Sequence, residues 1–289
     1  MPEAKSFVFE NSGILSGGKV AIIGGAGGMG RLLARGLKAC GLEVAICDVD
    51  ERKGKDVAKR LGVSFLGSDS LQCFEVVIVA VPFEEMLKAS LKSLSKMREG
   101  SLLVDVSSIK TGIVEPIKKN LPDWVEYVSI HPLFGPTVRD LKGKKIAVIP
   151  IKAERWLGKL LSILRGMGCE TILSSIEEHE KAMAKIQALH HFSYLCLVDC
   201  LSKLGFDRKL STESFERTLN LLNRLRSNLD AILSIQKHNP FAEGMRLKYM
   251  EAVEALSKAG SSDLERILRE DFANFERWQC RAALRKARL

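Results

Sequence analysis

The sequence predicts an α/β domain built on a doubly wound parallel sheet, followed by an all-α domain. Two observations support this fold class. In the first 175 residues, short β-branched runs alternate with segments of helical spacing, and from residue 176 onward the helical spacing continues almost without interruption. Strands that alternate with helices are typical of βαβ units, whose parallel sheet is covered by helices on both faces. We therefore predict two domains, residues 1–175 and residues 176–289.

Seven short apolar runs in the first domain are predicted to be strands. They are 19–25, 42–48, 76–82, 102–108, a run that ends at His131, 144–150 and 169–175. The segments that have the apolar spacing of amphipathic helices are 31–41, 56–62, 86–94 and 155–168. A parallel arrangement would bring the carboxyl ends of the strands to one edge of the sheet, where doubly wound folds bind their ligands.

The second domain is predicted to consist of helices only. Between residues 186 and 200, apolar side chains recur every three or four residues, which is the spacing of one helix face. Ser262 and Glu265 form a capping-box pattern that predicts the start of the last helix. Breaks between helices are expected near Gly205, at residues 239–240 and near Gly260.

The composition excludes several functional classes. No apolar run approaches the ~18 residues that a membrane span requires, and the first residues lack the basic start and apolar region of a secretory signal. Seven scattered cysteines without a CxxC pair favour reduced thiols over a disulfide framework or a metal site. We therefore expect a cytoplasmic location, no membrane partner and no metal.

The net charge of +9 does not by itself predict a nucleic-acid partner. The basic residues are dispersed and mostly interleaved with acidic residues. The exception is the C-terminal segment 277–289, which is better explained as a solvated helix end than as a nucleic-acid arm. The surplus of positive charge would instead attract anionic substrates.

A glycine-rich turn directly after the first predicted strand indicates a dinucleotide site. The segment contains Gly25-x-Gly27-x-x-Gly30 and runs into a predicted helix. The glycines allow a tight turn and a close approach of a pyrophosphate to the backbone, and the helix N-terminus offers free N–H groups. Gly28 and Met29 belong to this Rossmann-type turn, and we expect them to contribute to the same cofactor site.

Asp48 strengthens the prediction of a dinucleotide site. It ends the second predicted strand, 18 residues beyond Gly30. This is close to the ~20-residue spacing of an acidic residue that binds the adenosine ribose hydroxyls. A carboxylate there disfavours a 2′-phosphate, so we expect NAD as the cofactor. Arg52 and Lys53 lie nearby in the sequence and keep NADP as the alternative.

Ser108 and His131 are the candidate reactive groups. Each lies at the end of a predicted strand, so both should reach the ligand-binding edge of the sheet. Pro132 and Pro136 keep the chain after His131 out of a helix, and Gly135 permits a tight bend. Considered singly, such a serine is more often a helix cap and such a histidine is more often structural.

Four motifs taken together resemble the prephenate dehydrogenase family of tyrosine biosynthesis. They are GGAGGMGR (24–31), DVSSIK (105–110), HPLFGP (131–136) and EEHEKAMAKIQALHHF (177–192). The resemblance covers roughly residues 19–280. It implies an NAD-dependent oxidative decarboxylation of prephenate, which yields 4-hydroxyphenylpyruvate. It also implies a homodimer that forms through the helical domain.

The resemblance implies roles for individual residues. His131 matches the histidine that accepts the proton of the ring hydroxyl as hydride leaves the same carbon, and Ser108 matches a serine that binds this hydroxyl. His191 matches a histidine that the helical domain adds to the pocket. Gln187 lies one turn earlier on the same helix face and could reach the same site. Thr137 stands where relatives have an acidic residue, a position that could affect substrate choice or feedback by tyrosine.

The two carboxylates of prephenate require at least one arginine contact. In the family this arginine comes from the first part of the helical domain. Phe215 and Arg224 keep the family's spacing between an aromatic residue and that arginine, so we expect Arg224 to bind the substrate. Arg217, two helical turns away on the same face, is the alternative.

Other functions remain open from the sequence. Arogenate dehydrogenase is the nearest alternative, because its substrate differs only in an amino group that replaces the keto group. A hydroxyacid dehydrogenase would normally use a lysine in the helical half and would not explain HPLFGP. A non-catalytic dinucleotide-sensing regulator would keep the glycine turn but would not need Ser108 and His131. Some relatives are fused to a chorismate mutase or a prephenate dehydratase, so a longer polypeptide is a further alternative.

Overall fold

The computed structural model describes residues 17–67 and 71–286, with side chains up to Cys280. The segment predicted to lack a secretory signal and the end of the basic C-terminal segment lie outside the described residues. The strands of the described part form one sheet in the order β3-β2-β1-β4-β5-β6-β7-β8. They are β1 (Lys19–Ile23), β2 (Glu43–Cys47), β3 (Ser64–Phe65), β4 (Val76–Val79), β5 (Leu102–Asp105), β6 (Glu126–Pro132), β7 (Lys145–Lys152) and β8 (Glu170–Leu173).

The sheet is doubly wound as predicted, but it is not parallel throughout. Strands β1 to β6 are parallel, whereas β7 runs antiparallel to β6 and places Ala147 opposite His131. A parallel neighbour requires a crossover of a dozen or more residues, usually a helix. The connection 133–144 contains no helix, so the chain turns back beside β6. Strand β3 was not predicted, because it has only two residues at the sheet edge.

Helices cover both faces of the sheet. Successive side chains of a strand point to opposite faces, and here both sets are apolar and buried. In β1, Val20 and Ile22 belong to one buried cluster, whereas Ala21 belongs to another. The first cluster includes residues of α1, α2 and α5, and the second includes residues of α3 and α4. These helices are α1 (Gly28–Ala39), α2 (Glu51–Leu61), α3 (Phe83–Leu94), α4 (Val114–Lys119) and α5 (Leu157–Gly166).

From residue 176 the described chain is entirely helical apart from its connections. Ser175 and Glu178 form a capping box at the start of this part: the Ser175 hydroxyl accepts from the Glu178 N–H at 3.2 Å, and the Glu178 carboxylate accepts from the Ser175 N–H at 2.9 Å. The helices are α6 (Ile176–Met183), a π-helical turn (Ala184–Leu189), α7 (His190–Leu204), α8 (Glu213–Arg226), α9 (Leu229–His238), α10 (Ala242–Lys258) and α11 (Ser261–Lys286). The breaks near Gly205, at residues 239–240 and near Gly260 were predicted, whereas the break at residues 227–228 between α8 and α9 was not.

Much of the apolar surface of the helical part is not buried within one copy of the chain. Helices α7 and α8 contain no buried residue, although their apolar spacing is that of a core. Large apolar side chains that remain exposed include Leu204, Leu247, Phe272 and Trp278. None of the helices described is both long enough and apolar enough to cross a bilayer.

A buried polar cluster ties β5 to β6 beneath the ligand-binding edge. The Tyr127 hydroxyl donates to the Asp105 carboxylate at 2.7 Å, and the Ser107 hydroxyl donates to the same carboxylate. Burial, followed by the Asp105 charge, raises the pKa of Tyr127, so the phenol stays protonated and remains a donor. A buried carboxylate needs such donors because an unsatisfied buried charge is costly.

We predict that Tyr127→Phe lowers the free energy of unfolding by about 1.5–3 kcal/mol, the range for hydrogen bonds to a charged group. Urea denaturation followed by circular dichroism measures this loss. Tyr249→Phe is the matched control, because the Tyr249 ring contacts Phe192 on the half-exposed face of α10 and lies far in sequence from the Asp105 cluster. Equal losses in the two variants would contradict the role of the Asp105 contact.

Candidate functional site

The glycine turn is built by close backbone contacts that exclude side chains. Gly24 has a φ of +77°, and a Cβ there would lie 2.5 Å from the Ala80 carbonyl oxygen at the end of β4. A Cβ on Gly25 would lie 2.4 Å from the Ile46 Cβ, and a Cβ on Gly30 would lie 2.4 Å from the Gly24 oxygen. The predicted motif therefore holds the turn, and Gly24 is a further required glycine that the motif spacing does not reveal.

The turn leads into the N-terminus of α1, which faces the ligand-binding edge. The helix begins at Gly28 with Gly27 as its N-cap, and no acidic residue lies in the first turn. Its first N–H groups and its dipole can therefore receive a pyrophosphate. Met29 lines the larger of the two cavities described below, so it lies on the side of the turn that faces the helical domain.

Asp48 lies beside the glycine turn, as predicted. Its carboxylate accepts from the Ala26 N–H at 2.9 Å and from the Asp50 N–H at 3.2 Å. Together with Gly24 and Gly27, it lines a cavity of about 640 Å³. Lys53 lines the same cavity. The glycine cradle and the fixed carboxylate fit a dinucleotide, with its pyrophosphate at α1 and its ribose at Asp48.

A larger cavity of about 1010 Å³ lies between the sheet edge and the helical domain. The sheet contributes the segments 106–109 and 131–136, and the helical domain contributes Gln187, His191 and residues 230–235 of α9. The cavity therefore brings together four of the six predicted catalytic and substrate-binding residues, which are Ser108, His131, Gln187 and His191.

His131 is almost completely buried at the end of β6, with 3% of its surface exposed. Its Nδ1 lies 2.9 Å from Nε2 of His179, and the two rings meet edge to face. Burial lowers the pKa of His131 well below its ordinary value, and the Lys110 charge and His179 lower it further. At neutral pH the imidazole is therefore uncharged and can accept a proton.

A buried ammonium holds the loops that carry Ser108 and His131. The Lys110 Nζ donates to the Ser107 carbonyl at 2.6 Å and to the Ile130 carbonyl at 2.8 Å. Each of these carbonyls belongs to the residue just before a candidate reactive residue. Burial lowers the pKa of Lys110, although the neighbouring Asp105 and Glu180 charges oppose this shift.

Glu180 joins the Ser108 loop to the helical domain. Its carboxylate accepts from the backbone N–H groups of Lys110 and Thr111, the latter at 3.2 Å. The Asn239 side-chain amide donates to the same carboxylate at 2.8 Å. His179, Glu180, Lys110 and Asn239 were not predicted as site residues. Their only sequence signal is that each is a polar residue within a segment that the motifs or the helix breaks mark.

Gln187 and His191 offer polar atoms to the cavity that the described part of the chain does not satisfy. Gln187 Oε1 and His191 Nδ1 are buried and have no hydrogen-bond partner among the described residues. Burial lowers the pKa of His191 to about 4, with a further contribution from His190. Buried polar atoms usually have a partner, so these two are suited to a polar ligand.

Two predicted substrate residues and one predicted turn residue differ from expectation. Thr137 is exposed and lies just beyond the lining segment that ends at Pro136. Arg224 is exposed at the last turn of α8 and does not line the cavity in one copy, although its neighbour Leu225 does. Gly135 does not have a positive φ, and a Cβ there would meet open space. The bend after His131 therefore depends on the prolines.

Arg217 has a different environment from Arg224. Its guanidinium lies 2.6 Å from the Glu213 carboxylate, one helical turn earlier on the exposed face of α8. Among the contacts of the described residues, Arg224 has no such carboxylate. An arginine already paired on the surface is a weaker candidate for a substrate carboxylate.

The fold and the site define a dinucleotide-binding protein of the dehydrogenase type, with a helical domain that closes the reactive edge. Residues 33–173 match the nucleotide-binding domain of prephenate dehydrogenase. The chain belongs to the prephenate dehydrogenase family. This confirms the resemblance drawn from the four sequence motifs.

Individual relatives are also named as dehydrogenases. A probable arogenate/prephenate dehydrogenase of Methanocaldococcus jannaschii is 30% identical over 231 residues, which are 76% of this chain and 52% of that protein. A 4-amino-4-deoxyprephenate dehydrogenase of Streptomyces pristinaespiralis is 26% identical over 244 residues, which are 79% of this chain and 80% of that protein. The chain thus spans about half the length of the first relative.

The fold is shared with solved structures of the family. Prephenate dehydrogenase from Aquifex aeolicus, in complex with hydroxyphenyl propionate and NAD⁺, superimposes with a TM-score of 0.73 at 18% identity. The superposition covers 94% of this chain and 98% of that structure. It confirms a Rossmann-type domain followed by a helical domain.

We predict that Gly30→Ala weakens binding of NADH or NADPH at least about tenfold, because its Cβ must displace backbone rather than a flexible side chain. Fluorescence titration of the reduced dinucleotide measures this. Gly244→Ala in α10 is the matched control, since a Cβ there meets nothing within 4 Å. Unchanged affinity in Gly30→Ala would contradict the assignment of this turn.

Proposed function

We propose that the protein catalyses the NAD-dependent oxidative decarboxylation of prephenate to 4-hydroxyphenylpyruvate. The observation that carries the proposal is the uncharged, rigidly held His131 in a cavity that adjoins the glycine turn. A structural histidine would not need to line a cavity between two domains. The family membership supplies the reaction class.

The residues perform the proton chemistry of this reaction. His131 accepts the proton of the ring hydroxyl, which makes departure of hydride from the same carbon easier. Ser108 donates a hydrogen bond to the hydroxyl oxygen and fixes its distance from His131. When bound, the nicotinamide supplies the hydride acceptor, and the loss of the ring carboxylate as CO₂ makes the ring aromatic. A positioned base of this kind contributes ~10²–10⁴-fold.

The helical domain supplies the groups that recognise the substrate. His191 can donate from Nδ1 to the side-chain keto group or carboxylate of prephenate, and Gln187 can donate to it from its side-chain NH₂ group while Oε1 accepts from a hydroxyl. Thr137, just beyond the cavity rim, remains part of the proposal as a determinant of substrate choice. Arg224 is the proposed anchor for a substrate carboxylate.

We further propose that the active protein is a homodimer formed through the helical domain. The exposed apolar side chains of the helical part support this, because large exposed apolar surfaces usually mark an interface. A second copy would cover this surface and complete the cavity wall near α8. A cytoplasmic location is also part of the proposal, and the scattered cysteines support it.

Asp48 supports NAD as the cofactor, because a carboxylate at the adenosine ribose repels a 2′-phosphate. Lys53 lines the same cavity and supports NADP as the alternative. Arogenate is the alternative substrate, since it has the same ring and the same reacting hydroxyl. The first relative is named for both arogenate and prephenate, and the second is named for 4-amino-4-deoxyprephenate.

One assay tests the proposed function. Formation of the reduced dinucleotide is followed by its absorbance with prephenate and with arogenate, each combined with NAD and with NADP. We expect the highest kcat/KM for prephenate with NAD. Absence of turnover with both substrates by folded protein that binds the dinucleotide would overturn the proposal.

We predict that His131→Asn lowers kcat by about 10²-fold or more and changes KM much less, because the lost group acts as the base. The pH profile gives a second measurement. The pKa of His131 is lowered, and the base works only when it is uncharged. Activity should therefore persist as the pH falls through 6.5 and should decrease only at lower pH. An acidic limb centred above pH 6.5 would contradict this role.

We predict that Arg224→Ala raises KM for prephenate about tenfold or more with a smaller change in kcat, because one charge-assisted contact to a carboxylate is lost. Arg217→Ala is the matched control and should have a milder effect, since this side chain is paired with Glu213. Steady-state kinetics measures both constants. The reverse order of effects would identify Arg217 as the anchor.

A further inference from the structure

We propose that His179 is a positioning residue that fixes which nitrogen of His131 carries the proton, and that Glu180 sets this arrangement. The proposal rests on the proposed function and extends it to residues outside the substrate contacts. It starts from the 2.9 Å contact between His131 Nδ1 and His179 Nε2. Each imidazole has one proton when uncharged, so one of these two nitrogens donates and the other accepts.

Glu180 is the group that distinguishes the two arrangements. Its Oε1 lies 4.0 Å from Nδ1 of His179. The three groups that hydrogen bond to the carboxylate all donate to it: the N–H groups of Lys110 and Thr111 and the Asn239 amide. Burial raises the pKa of Glu180, and these N–H donors together with the Lys110 charge oppose that shift and stabilise the ionised form.

The charge on Glu180 favours a proton on Nδ1 of His179. His179 is 2% exposed, and burial lowers its pKa to about 4, so it is uncharged and has a single N–H. A proton on Nδ1 directs a positive dipole end at the carboxylate. Nδ1 has no hydrogen-bond partner among the described residues in either arrangement, so the charge 4.0 Å away decides, and a bare lone pair there would face a negative charge. The first arrangement is therefore the more stable one.

The remaining proton positions follow from this step. With its proton on Nδ1, His179 can only accept at Nε2. His131 must then donate from Nδ1, which leaves Nε2 of His131 as a lone pair available to the cavity. The opposite arrangement would place an N–H of His131 in the cavity, and the ring could not act as a base there. The side chains of α6 thus determine the protonation geometry of a residue in β6.

His179 and Glu180 together fix the positions of His131 and of the Ser108 loop. His179 holds His131, while the adjacent Glu180 holds the backbone of the loop that follows Ser108. Both lie in the middle of α6 and both are almost completely buried. A displacement of α6 would therefore move the base and the hydroxyl-binding serine together.

Two substitutions separate acceptance of this hydrogen bond from other roles of the ring. In His179→Gln, the amide oxygen can take the place of Nε2 and accept from His131. In His179→Leu, no acceptor remains. We expect His179→Gln to keep kcat within about threefold and His179→Leu to lose about tenfold or more, with KM nearly unchanged, because a base in the wrong tautomer is ineffective.

Nitrogen NMR of the histidine rings in the resting protein gives a readout that does not require turnover. We expect His131 in the native protein and in His179→Gln to be protonated at Nδ1, and this preference to be lost in His179→Leu. The His131 signals are assigned by their absence in His131→Asn. If His179→Leu does not fold, the native protein and His179→Gln still give the decisive tautomer.

Three outcomes would overturn the proposal. The first is protonation of His131 at Nε2 in the native protein, and the second is full kcat in folded His179→Leu. The third is a His179→Gln variant that keeps the tautomer but loses as much kcat as His179→Leu. Failure of the proposed function looks different. In that case the NMR result would hold, but the native protein would turn over neither prephenate nor arogenate.

Discussion

The buried ammonium of Lys110 is the interaction on which the site depends. It is 1% exposed, and its hydrogen bonds to the Ser107 and Ile130 carbonyls join the ends of two neighbouring strands. Burying an unpaired charge costs several kcal/mol. The Asp105 carboxylate, 3.7 Å from Nζ, offsets this cost, and Tyr127 and Ser107 satisfy that carboxylate in turn. The folded core therefore fixes the position of the Ser108 loop relative to His131 at the end of β6.

The helical domain is attached to this core through the same charges. Glu180 accepts from the backbone just after Ser108, and Asn239 donates to Glu180 from the junction of α9 and α10. Separating the domains would remove the Lys110 and Thr111 N–H donors from the Glu180 carboxylate and leave only Asn239, which is unfavourable. The cavity between the domains is consequently bounded by groups whose positions depend on one another. This explains why the reactive residues of the sheet and the polar residues of the helical domain meet with little freedom.

Periodicity and local motifs predicted the parts of this structure that depend on interactions within short segments of the chain. Alternation of strands and helices predicted the layers, and the spacing of Gly25, Gly27 and Gly30 predicted the turn, because both depend on short segments. The reversal of β7 was missed because it depends on the lack of a helix in one connection. The cluster of Asp105, Lys110, Glu180 and Asn239 was missed for another reason: its members are up to 134 residues apart in sequence, and no local pattern marks their contact.

Two features of the helical domain that look unrelated have one explanation in the proposed homodimer. Helices α7 and α8 have the apolar spacing of a core yet bury no residue within one copy. Arg224 has the predicted sequence spacing yet lies outside the cavity, although the adjacent Leu225 lines it. Burial of apolar surface is worth about 25 cal/mol per Å², so a second copy packed on these helices would be favourable. The same packing would reshape the end of α8, where a carboxylate-binding arginine is needed. In the proposed dimer the apolar pattern of α7 and α8 would describe the assembled protein, whereas a single copy shows the cavity without a carboxylate-binding arginine.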